Sequence, residues 1–291
     1  MTAAFLSSEF VHNYRRNPSA IAGSAILVIF AVIVTLGPWL VWQDPYDIAS
    51  LNLLDSYKPP MWLPGGDAAY PLGTDGQGRD LLAAIFYGTR VSVMIGLTAM
   101  AFSCLLGTAA GILAGYYGGV IDSVLMRIAD VQLSFPSMLI ALFLMSAFGT
   151  GVDKVLIALT AVGWVVYART VRGQTLSEIE KEYVQAARVA GLSDTKIILR
   201  HILPNVTTPL IVVATVQVGT FILIEASLSF LGVGVPITQP SLGLLIKNGF
   251  DVLFSGLWWT SVFPGLFIMA LVFGINLFGD FLRDELNPRL K

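Results

Sequence analysis

Residue types that could carry acid–base, nucleophilic or metal chemistry are scarce in this 291-residue chain. It has two histidines, His12 and His201, and one cysteine, Cys104, which are too few for a typical zinc site. One cysteine cannot form a disulfide within the chain. Neither an H-E-x-x-H run nor a phosphate-binding G-x-x-x-x-G-K-[ST] run occurs. We therefore expect a non-catalytic chain that binds no metal or nucleotide cofactor itself.

Glu225 is the one ionisable residue well inside a long apolar run, FILIEASLSFLG. An isolated charge at the centre of a bilayer costs about 2.5–3.5 kcal/mol on insertion scales. Two interpretations are open: a pathway or gate carboxylate, or a hydrogen-bonded residue that packs helices together. The second is favoured, because no basic residue or histidine lies nearby to form a proton relay. Pro136 should kink its own apolar run and could also line a pathway, although kinked helices are common in bundles.

The composition indicates that these residues sit in a lipid environment. Hydrophobic residues make up 55% of the chain and charged residues only 12%, whereas soluble domains carry about 25% charged residues. The net charge of −2 gives no basic field that would attract nucleic acid. We therefore expect a membrane protein whose main solvent is lipid.

Six stretches are apolar enough to cross a bilayer at about 20 residues per crossing. They cover residues 19–42, 91–115, 128–148, 154–168, 206–231 and 258–281. The fourth is short, so tilt or local thinning would have to accommodate it. The first exceeds the apolar length of a signal peptide and is expected to be a retained helix that begins at Pro18. The prediction is an all-α membrane protein with six transmembrane helices.

The distribution of Lys and Arg predicts the orientation of these helices. With the N-terminus inside, the inner segments hold 12 of the 17 basic residues. Both termini are therefore expected in the cytoplasm. The predicted segments are an N-terminal tail 1–18, the first transmembrane helix 19–42, an extracytoplasmic loop 43–90, a five-helix core 91–281 that includes a cytoplasmic loop 169–205, and a C-terminal tail 282–291.

Three glycines of the second apolar stretch, Gly107, Gly111 and Gly115, recur every four residues. This spacing places three positions without side chains on one stripe of a helix. Another helix can approach such a stripe closely, so we expect tight helix packing there.

The polar stretch EYVQAARVAGLSDTKIILRHILPN, residues 182–205, predicts two short helices joined by a sharp turn. Gly191 can take the left-handed position after the first helix, and Leu192 follows with a hydrophobic contact. Ser193 then offers an N-cap for the second helix, and Pro204 should end it before the fifth span. Ala186, Ala187 and Gly191 leave part of the first helix bare. Such a helix could enter a groove on a partner protein, or it could rest on the lipid surface.

A turn-rich cluster in the predicted outer loop contains Asp75, Arg79 and Asp80, with Arg90 nearby. These charged side chains could dock another protein or shape the outer mouth of the bundle. The alternative is a structural loop held by internal Asp–Arg bonds, which is favoured because Gly/Asp-rich turns are most often structural.

The stretch 182–205 also resembles the cytoplasmic "EAA" loop of binding-protein-dependent ABC importer permeases. Ala186, Ala187, Gly191, Leu203 and Pro204 match that pattern in type and spacing. Gln185 stands where the family usually has Glu, and His201 stands at a usually hydrophobic position. RHILPN, at residues 200–205, is similar to the peptide/nickel branch, as are residues 70–96, EASLSFLGVG and NLFGDFLRDELNPRL. The chain resembles the shorter, second permease of a dipeptide/oligopeptide pair.

The resemblance implies a type I ABC importer permease in the bacterial plasma (inner) membrane. Such permeases form a heterodimer with a similar chain, two ATPase subunits bind ATP and magnesium below, and an extracytoplasmic binding protein delivers solute. The family's loop helix docks into an ATPase cleft and couples hydrolysis to alternating access. On the matching positions, this role falls to Glu182, Gln185, Ala186, Ala187, Arg188, Gly191, Asp194, His201, Leu203 and Pro204.

Other functions are kept beside this expectation. Peptides are the first choice of solute, and nickel chelates, opines or glutathione-like molecules are alternatives within the family. A secondary transporter that works without ATP would need coupling residues in the bundle, where only Glu225 is available. An intramembrane enzyme is disfavoured because no nucleophile–base pair is present.

Overall fold

The computed structural model describes residues 8–47, 51–236, 238–239 and 241–286. Within these ranges the chain is helical, with no strand and one isolated bridge between Thr74 and Asp80. The helices are α1 Ser8–Arg16, α2 Pro18–Leu40, α3 Leu81–Tyr117, α4 Gly119–Leu133, α5 Ser137–Phe148, α6 Val152–Ile179, α7 Glu182–Val189, α8 Asp194–Phe230, α9 Leu242–Phe250 and α10 Trp259–Leu286. The predicted tails extend beyond these ranges, and Arg289 and Lys291 lie outside the described residues.

Five helices, α2, α3, α6, α8 and α10, are long and apolar enough to cross a membrane, and α4 with α5 makes a sixth if counted as one broken span. This confirms the predicted all-α fold class. α3 lies at the centre, where it packs chiefly against α6 and also against α8 and α2. α10 packs against α2, α8 and α9.

Side-chain caps begin three of these helices where the sequence supplies Asn, Asp or Ser. Asn17 Oδ1 accepts the N–H of Ala20 at 3.0 Å, and Pro18 follows as the first residue of α2, as predicted. Asp80 Oδ1 accepts the N–H of Leu82 at 3.1 Å and begins α3. Each cap satisfies an N–H that has no partner within the helix.

The predicted second span, residues 91–115, lies inside α3, which begins ten residues earlier at Leu81. The segment LLAAIFYG is apolar, and Leu81, Ala83, Ala84 and Ile85 are buried against neighbouring elements. The outer loop is therefore shorter than predicted, and Arg90 is a helical residue.

The predicted third span, residues 128–148, with a kink at Pro136, corresponds to the end of α4 and the whole of α5. α4 and α5 meet at 92° across the residues between Leu133 and Ser137. Pro136 precedes α5 and disfavours helical backbone at the residue before it, so the helix breaks instead of kinking.

The fourth and fifth spans are longer than predicted. α6 continues eleven residues past residue 168, so the first part of the predicted loop 169–205 is helical. α8 runs from Asp194 through Pro204 without ending, and a π turn at Ile198–Ile202 accommodates the proline. Pro204 has no N–H to donate to the usual helical bond. In the π turn just before it, the Leu203 N–H bonds to the carbonyl of Ile198, five residues back. The predicted stop at Pro204 is therefore wrong.

The glycine stripe on α3 packs against α6, which confirms the predicted close approach. A Cβ added to Gly111 would lie 2.5 Å from the Ala168 carbonyl oxygen and 2.7 Å from Val171 Cβ. A Cβ added to Gly115 would lie 2.8 Å from Thr175 Cβ. Since a carbonyl oxygen in a helix cannot move away cheaply, only glycine allows this helix–helix distance.

Candidate functional site

The loop helix α7 ends in the turn that the sequence predicted. Gly191 has φ of +75°, in the left-handed region. The Leu192 N–H bonds to the Ala187 carbonyl at 3.1 Å, and the Gly191 N–H bonds to the Arg188 carbonyl at 3.0 Å. These two bonds make a Schellman motif, which satisfies carbonyls at the helix end and fixes the direction of the chain into α8. Ser193 lies at the N-cap position of α8, but its side chain makes no capping bond.

One face of α7 packs onto the chain's own helices. Val184 and Ala187 are buried in an apolar cluster with Tyr167 and Val171 of α6 and Ile197 of α8. The small side chain of Ala187 therefore lets α7 lie close to its own bundle. The interpretation of Ala187 as part of the bare surface is wrong, because its side chain is buried against α6 and α8 of the same chain.

Polar contacts hold the same helix at its edges. Gln185 Nε2 donates to the Ile179 carbonyl at 2.8 Å, which ties α7 to the end of α6. Tyr116 Oη donates to Asp194 Oδ1 at 2.7 Å, and the Arg188 guanidinium lies 5.3 Å from the centroid of the Tyr116 ring. Gln185, Arg188 and Asp194 thus make internal contacts that link α7 and α8 to α3 and α6.

The opposite face of α7 is exposed and consists of Glu182, Ala186, Val189 and Ala190. These four residues, the exposed stripe, recur at helical spacing. Val189 is 90% exposed, and the residues beside it are alanines, so the stripe offers an apolar, closely approachable surface. Gly191 is exposed next to the stripe, with no atom within 4 Å of an added Cβ.

His201, Leu203 and Pro204 lie where the π turn passes into the rest of α8. The His201 ring lies 6.0 Å from the Tyr183 ring of α7, and the His201 carbonyl accepts the side-chain N–H of Asn205 at 2.6 Å. Asn205 also donates to Tyr183 Oη at 3.1 Å. His201 and Asn205 therefore connect α8 to Tyr183 of α7.

Two arginines of α6 pair with carboxylates of α4. Arg172 Nη2 bonds to Asp122 Oδ2 at 2.6 Å and Arg172 Nε to Asp122 Oδ1 at 2.5 Å, which is a bidentate pair. Arg169 pairs with Asp130. Arg169 and Arg172 lie three residues apart within α6, a spacing that places them on one face of the helix.

In the outer loop, Asp75 and Arg79 form a buried ion pair with a distance of 2.7 Å between Arg79 Nε and Asp75 Oδ2. Asp75 Oδ1 also accepts the N–H groups of Gln77 and Arg79. Asp80 is buried too, and burial raises its pKa to about 6. These contacts favour the interpretation of an internally held loop for Asp75, Arg79 and Asp80.

Arg90 is separate from that cluster. It lies on α3, is exposed, and lines a cavity with Tyr46 and Tyr87. Pro136 is an exposed residue at the break between α4 and α5.

Glu225 is fully buried on α8 and bridges two serines. Ser92 Oγ of α3 donates to Glu225 Oε2 at 2.8 Å, and Ser229 Oγ donates to Glu225 Oε1 at 2.7 Å. The Leu242 N–H at the start of α9 reaches Ser92 Oγ at 3.4 Å. This geometry favours the hydrogen-bonded packing interpretation, because the carboxylate joins α3, α8 and α9. Over the residues that the structure describes, no group of three or more His, Cys, Asp or Glu could hold a metal ion.

Helices long enough to span a membrane pack around a central helix that carries the glycine stripe, and a short loop helix packs against them at one end. Solved structures of the MetNI methionine ABC transporter share this fold, with a TM-score of 0.55 over 69% of this chain and 96% of that chain at 18% identity. The fold class of a type I ABC importer permease is thereby confirmed.

The chain belongs to the family of binding-protein-dependent transport system inner membrane components, whose model matches residues 107–291. Residues 6–60 match the N-terminal domain of oligopeptide transport permease C. The dipeptide transport system permease protein of Haemophilus influenzae is 36% identical over 97% of this chain and 95% of its own length. The oligopeptide transport system permease protein of Bacillus subtilis is 36% identical over 96% of this chain and 88% of its own length. The prediction of a non-enzymatic permease is confirmed.

Proposed function

We propose that this chain forms half of the translocation pathway of an ATP-driven importer for di- or oligopeptides. Relatives named as dipeptide and oligopeptide permeases match it over nearly its whole length, and this is the observation that carries the proposal. A similar permease chain would complete the pathway, a binding protein would deliver the peptide, and both termini would lie in the cytoplasm. ATP and magnesium would be bound by the ATPase subunits. Nickel chelates, opines and glutathione-like solutes are the other cargo classes.

The docking surface for an ATPase subunit is the exposed stripe of α7. Its apolar residue Val189 and small neighbours suit close seating in a protein cleft, whereas Val184 and Ala187 on the other face are already packed. Because α7 is joined to α3, α6 and α8 by the buried cluster and by Tyr116–Asp194, a displacement of α7 would move these helices with it. Exposed ion pairs contribute only about 0–1 kcal/mol, so shape carries most of the docking.

Crosslinking tests this orientation of α7. In a Cys104→Ser background, Val189→Cys should crosslink efficiently to cysteines placed along the cleft of an ATPase subunit. Ala187→Cys is the matched control one half-turn away, and it should crosslink poorly because it faces its own chain. Equal crosslinking from both positions would contradict the docked pose of α7.

Reconstitution tests the transport proposal. Proteoliposomes with both permeases, both ATPases and the binding protein should accumulate peptide only when ATP and magnesium are present on the ATPase side. Accumulation by the permeases alone would instead establish a secondary transporter. Accumulation of a nickel chelate but not of peptides would identify nickel chelates as the cargo.

A further inference from the structure

A cavity of about 540 Å³ lies between α3, the start of α6 and the segment that follows α8. On α3 its lining includes Tyr87, Arg90, Met94 and Thr98, which recur every three or four residues and share one face of the helix. Eleven residues of α-helix extend about 16 Å. The cavity is therefore an elongated groove along α3, and its volume falls in the range of about 300–1,000 Å³ typical of small-molecule sites.

The end of this cavity nearest the start of α3 is polar. The rings of Tyr46 and Tyr87 meet edge to face with 5.1 Å between their centroids. Arg90 lines the same end and is exposed, and among the described residues it forms no ion pair within 4 Å. Burial, with Asp44 as a lesser cause, raises the pKa of Tyr46 to about 12, so its phenol stays protonated and can donate a hydrogen bond. A guanidinium and phenol donors together suit an anion.

Asp44 is an acidic group near this arrangement, since its charge contributes to the raised pKa of Tyr46. Its Oδ1 accepts the backbone N–H of Tyr46 at 2.9 Å, so this oxygen is engaged in the local turn. Asp44 does not line the cavity, whereas Arg90 does. Among the described residues that line the cavity, Arg90 is the one that carries a formal charge.

The rest of the cavity is mainly apolar, with Thr98, Thr238 and Gln239 as its polar lining residues. Met94 and Ile95 of α3 face Val152 and Leu156 of α6 there. The site thus combines one cationic end with an apolar body, which is complementary to a small molecule that carries a carboxylate next to hydrophobic groups.

We propose that this cavity binds the free C-terminal carboxylate of the transported peptide, with Arg90 as its charged partner and the apolar end accepting side chains. An extended residue adds about 3.3–3.6 Å, so the groove along α3 has room for a di- or tripeptide. Arginine holds a carboxylate through two parallel N–H bonds, which gives direction as well as attraction. This inference rests on the proposed peptide import. It adds that the permease itself contacts the transported peptide, through Arg90.

The first experiment measures ATP-driven uptake by the complete reconstituted importer, with the binding protein loaded to saturation. Arg90→Gln should lower uptake of trialanine by about tenfold, the fold-change that corresponds to about 1.4 kcal/mol, and Arg90→Lys should keep part of it. Lys154→Gln is the control, since Lys154 is a half-exposed cation at the start of α6 that pairs with Asp153 and does not line the cavity. It should leave uptake unchanged. Half-saturation of ATPase activity by the binding protein should be unchanged in all three variants.

The second experiment excludes the binding protein and probes the cavity directly. A Met94→Cys variant of the assembled complex, with Cys104→Ser, is labelled with a thiol reagent. Trialanine in the millimolar range should slow labelling at least threefold more than trialanine amide does, and adding Arg90→Gln should abolish this difference.

The two proposals fail in different ways. If the wild-type complex takes up no peptide, the proposed function is wrong, whatever the variants do. If wild-type uptake is normal and Arg90→Gln equals Lys154→Gln, the inference is overturned. It is also overturned if Arg90→Gln raises the binding-protein concentration needed for half-saturation, because Arg90 then docks that protein. Loss of the partner permease on purification of Arg90→Gln would assign Arg90 to the subunit interface and would overturn it as well.

Discussion

Replacing Gly191 by alanine tests whether the left-handed turn after α7 holds the loop helix in place. Gly191 has φ of +75°, and nothing lies within 4 Å of an added Cβ. The substitution therefore creates no clash with neighbours, and its whole cost is backbone strain. For a residue with a Cβ that cost is about 1–2 kcal/mol, which corresponds to a five- to thirtyfold rise in opening of the turn.

Hydrogen exchange measures this opening directly. The amides of Gly191 and Leu192, which bond to the Arg188 and Ala187 carbonyls, should exchange about five- to thirtyfold faster in Gly191→Ala. If α7 transmits motion from the ATPase, transport per ATP hydrolysed should fall in the same variant. Asn tolerates the left-handed region, so Gly191→Asn should be affected less than Gly191→Ala.

Gly173→Ala provides the matched control. Gly173 also has no atom within 4 Å of an added Cβ, but it lies inside α6 and its φ is not positive. Alanine is favoured over glycine within a helix by about 1 kcal/mol, so this variant should be as stable as the wild type or more so. Equal effects of Gly191→Ala and Gly173→Ala, or wild-type exchange at Leu192, would refute the role given to the turn.

Three further changes test the bundle and the outer loop. Glu225→Gln should keep uptake near the wild-type level, because an amide can still bond to two serines, whereas Glu225→Leu should destabilise the complex by about 1–3 kcal/mol per unpaired hydroxyl in thermal unfolding. Gly111→Ala should reduce thermal stability by about 1–3 kcal/mol through overpacking against α6, whereas Gly265→Ala, with open space around an added Cβ, should not. Because burial raises the pKa of Asp80 from 3.8 to about 6, stability should fall as the pH rises through that window. Asp80→Asn should remove that fall.

Each of these three predictions would be contradicted by a specific result. If Glu225→Gln abolishes uptake while the complex still assembles, Glu225 is a pathway or gate residue. If Gly265→Ala destabilises as much as Gly111→Ala, glycine at position 111 has no special packing role. A wild-type stability profile between pH 4 and 7 that matches Asp80→Asn would mean that Asp80 keeps its ordinary pKa in the folded protein.

The sequence predicted the parts of the fold that depend on the properties of residues close together in the chain, such as the hydropathy of a run. A run of apolar residues partitions into lipid whatever packs against it, so the spans around residues 19–42 and 258–281 were placed within a few residues. The turn at Gly191 was predicted for a similar reason, because the left-handed conformation favours glycine locally. The spacing of Gly107, Gly111 and Gly115 also sufficed to predict a close helix contact.

Helix ends were predicted less well where polar residues continue a helix. The extension of α6 carries Arg169 and Arg172, which are stable there because they pair with carboxylates of α4. Those partners are 39 and 50 residues away in the chain, and no local pattern reveals them. The helix α9 was missed as well, since its buried residue Leu242 is defined by contacts with α3 and α8.

The sequence by itself determined that this chain is a helical membrane protein with a small-residue loop helix, because hydropathy, glycine spacing and turn chemistry are local properties. The permease function was implied only by the resemblance of its motifs to a known family. Only the tertiary structure decided which face of that helix is free. Ala186 and Ala187 are neighbours of the same type, yet one is exposed and the other is packed in its own bundle. The same holds for Arg79 and Arg90, of which one is paired inside the outer loop and the other lines a cavity. The physical reason is that burial and pairing depend on residues far away in the chain, which the fold alone brings together.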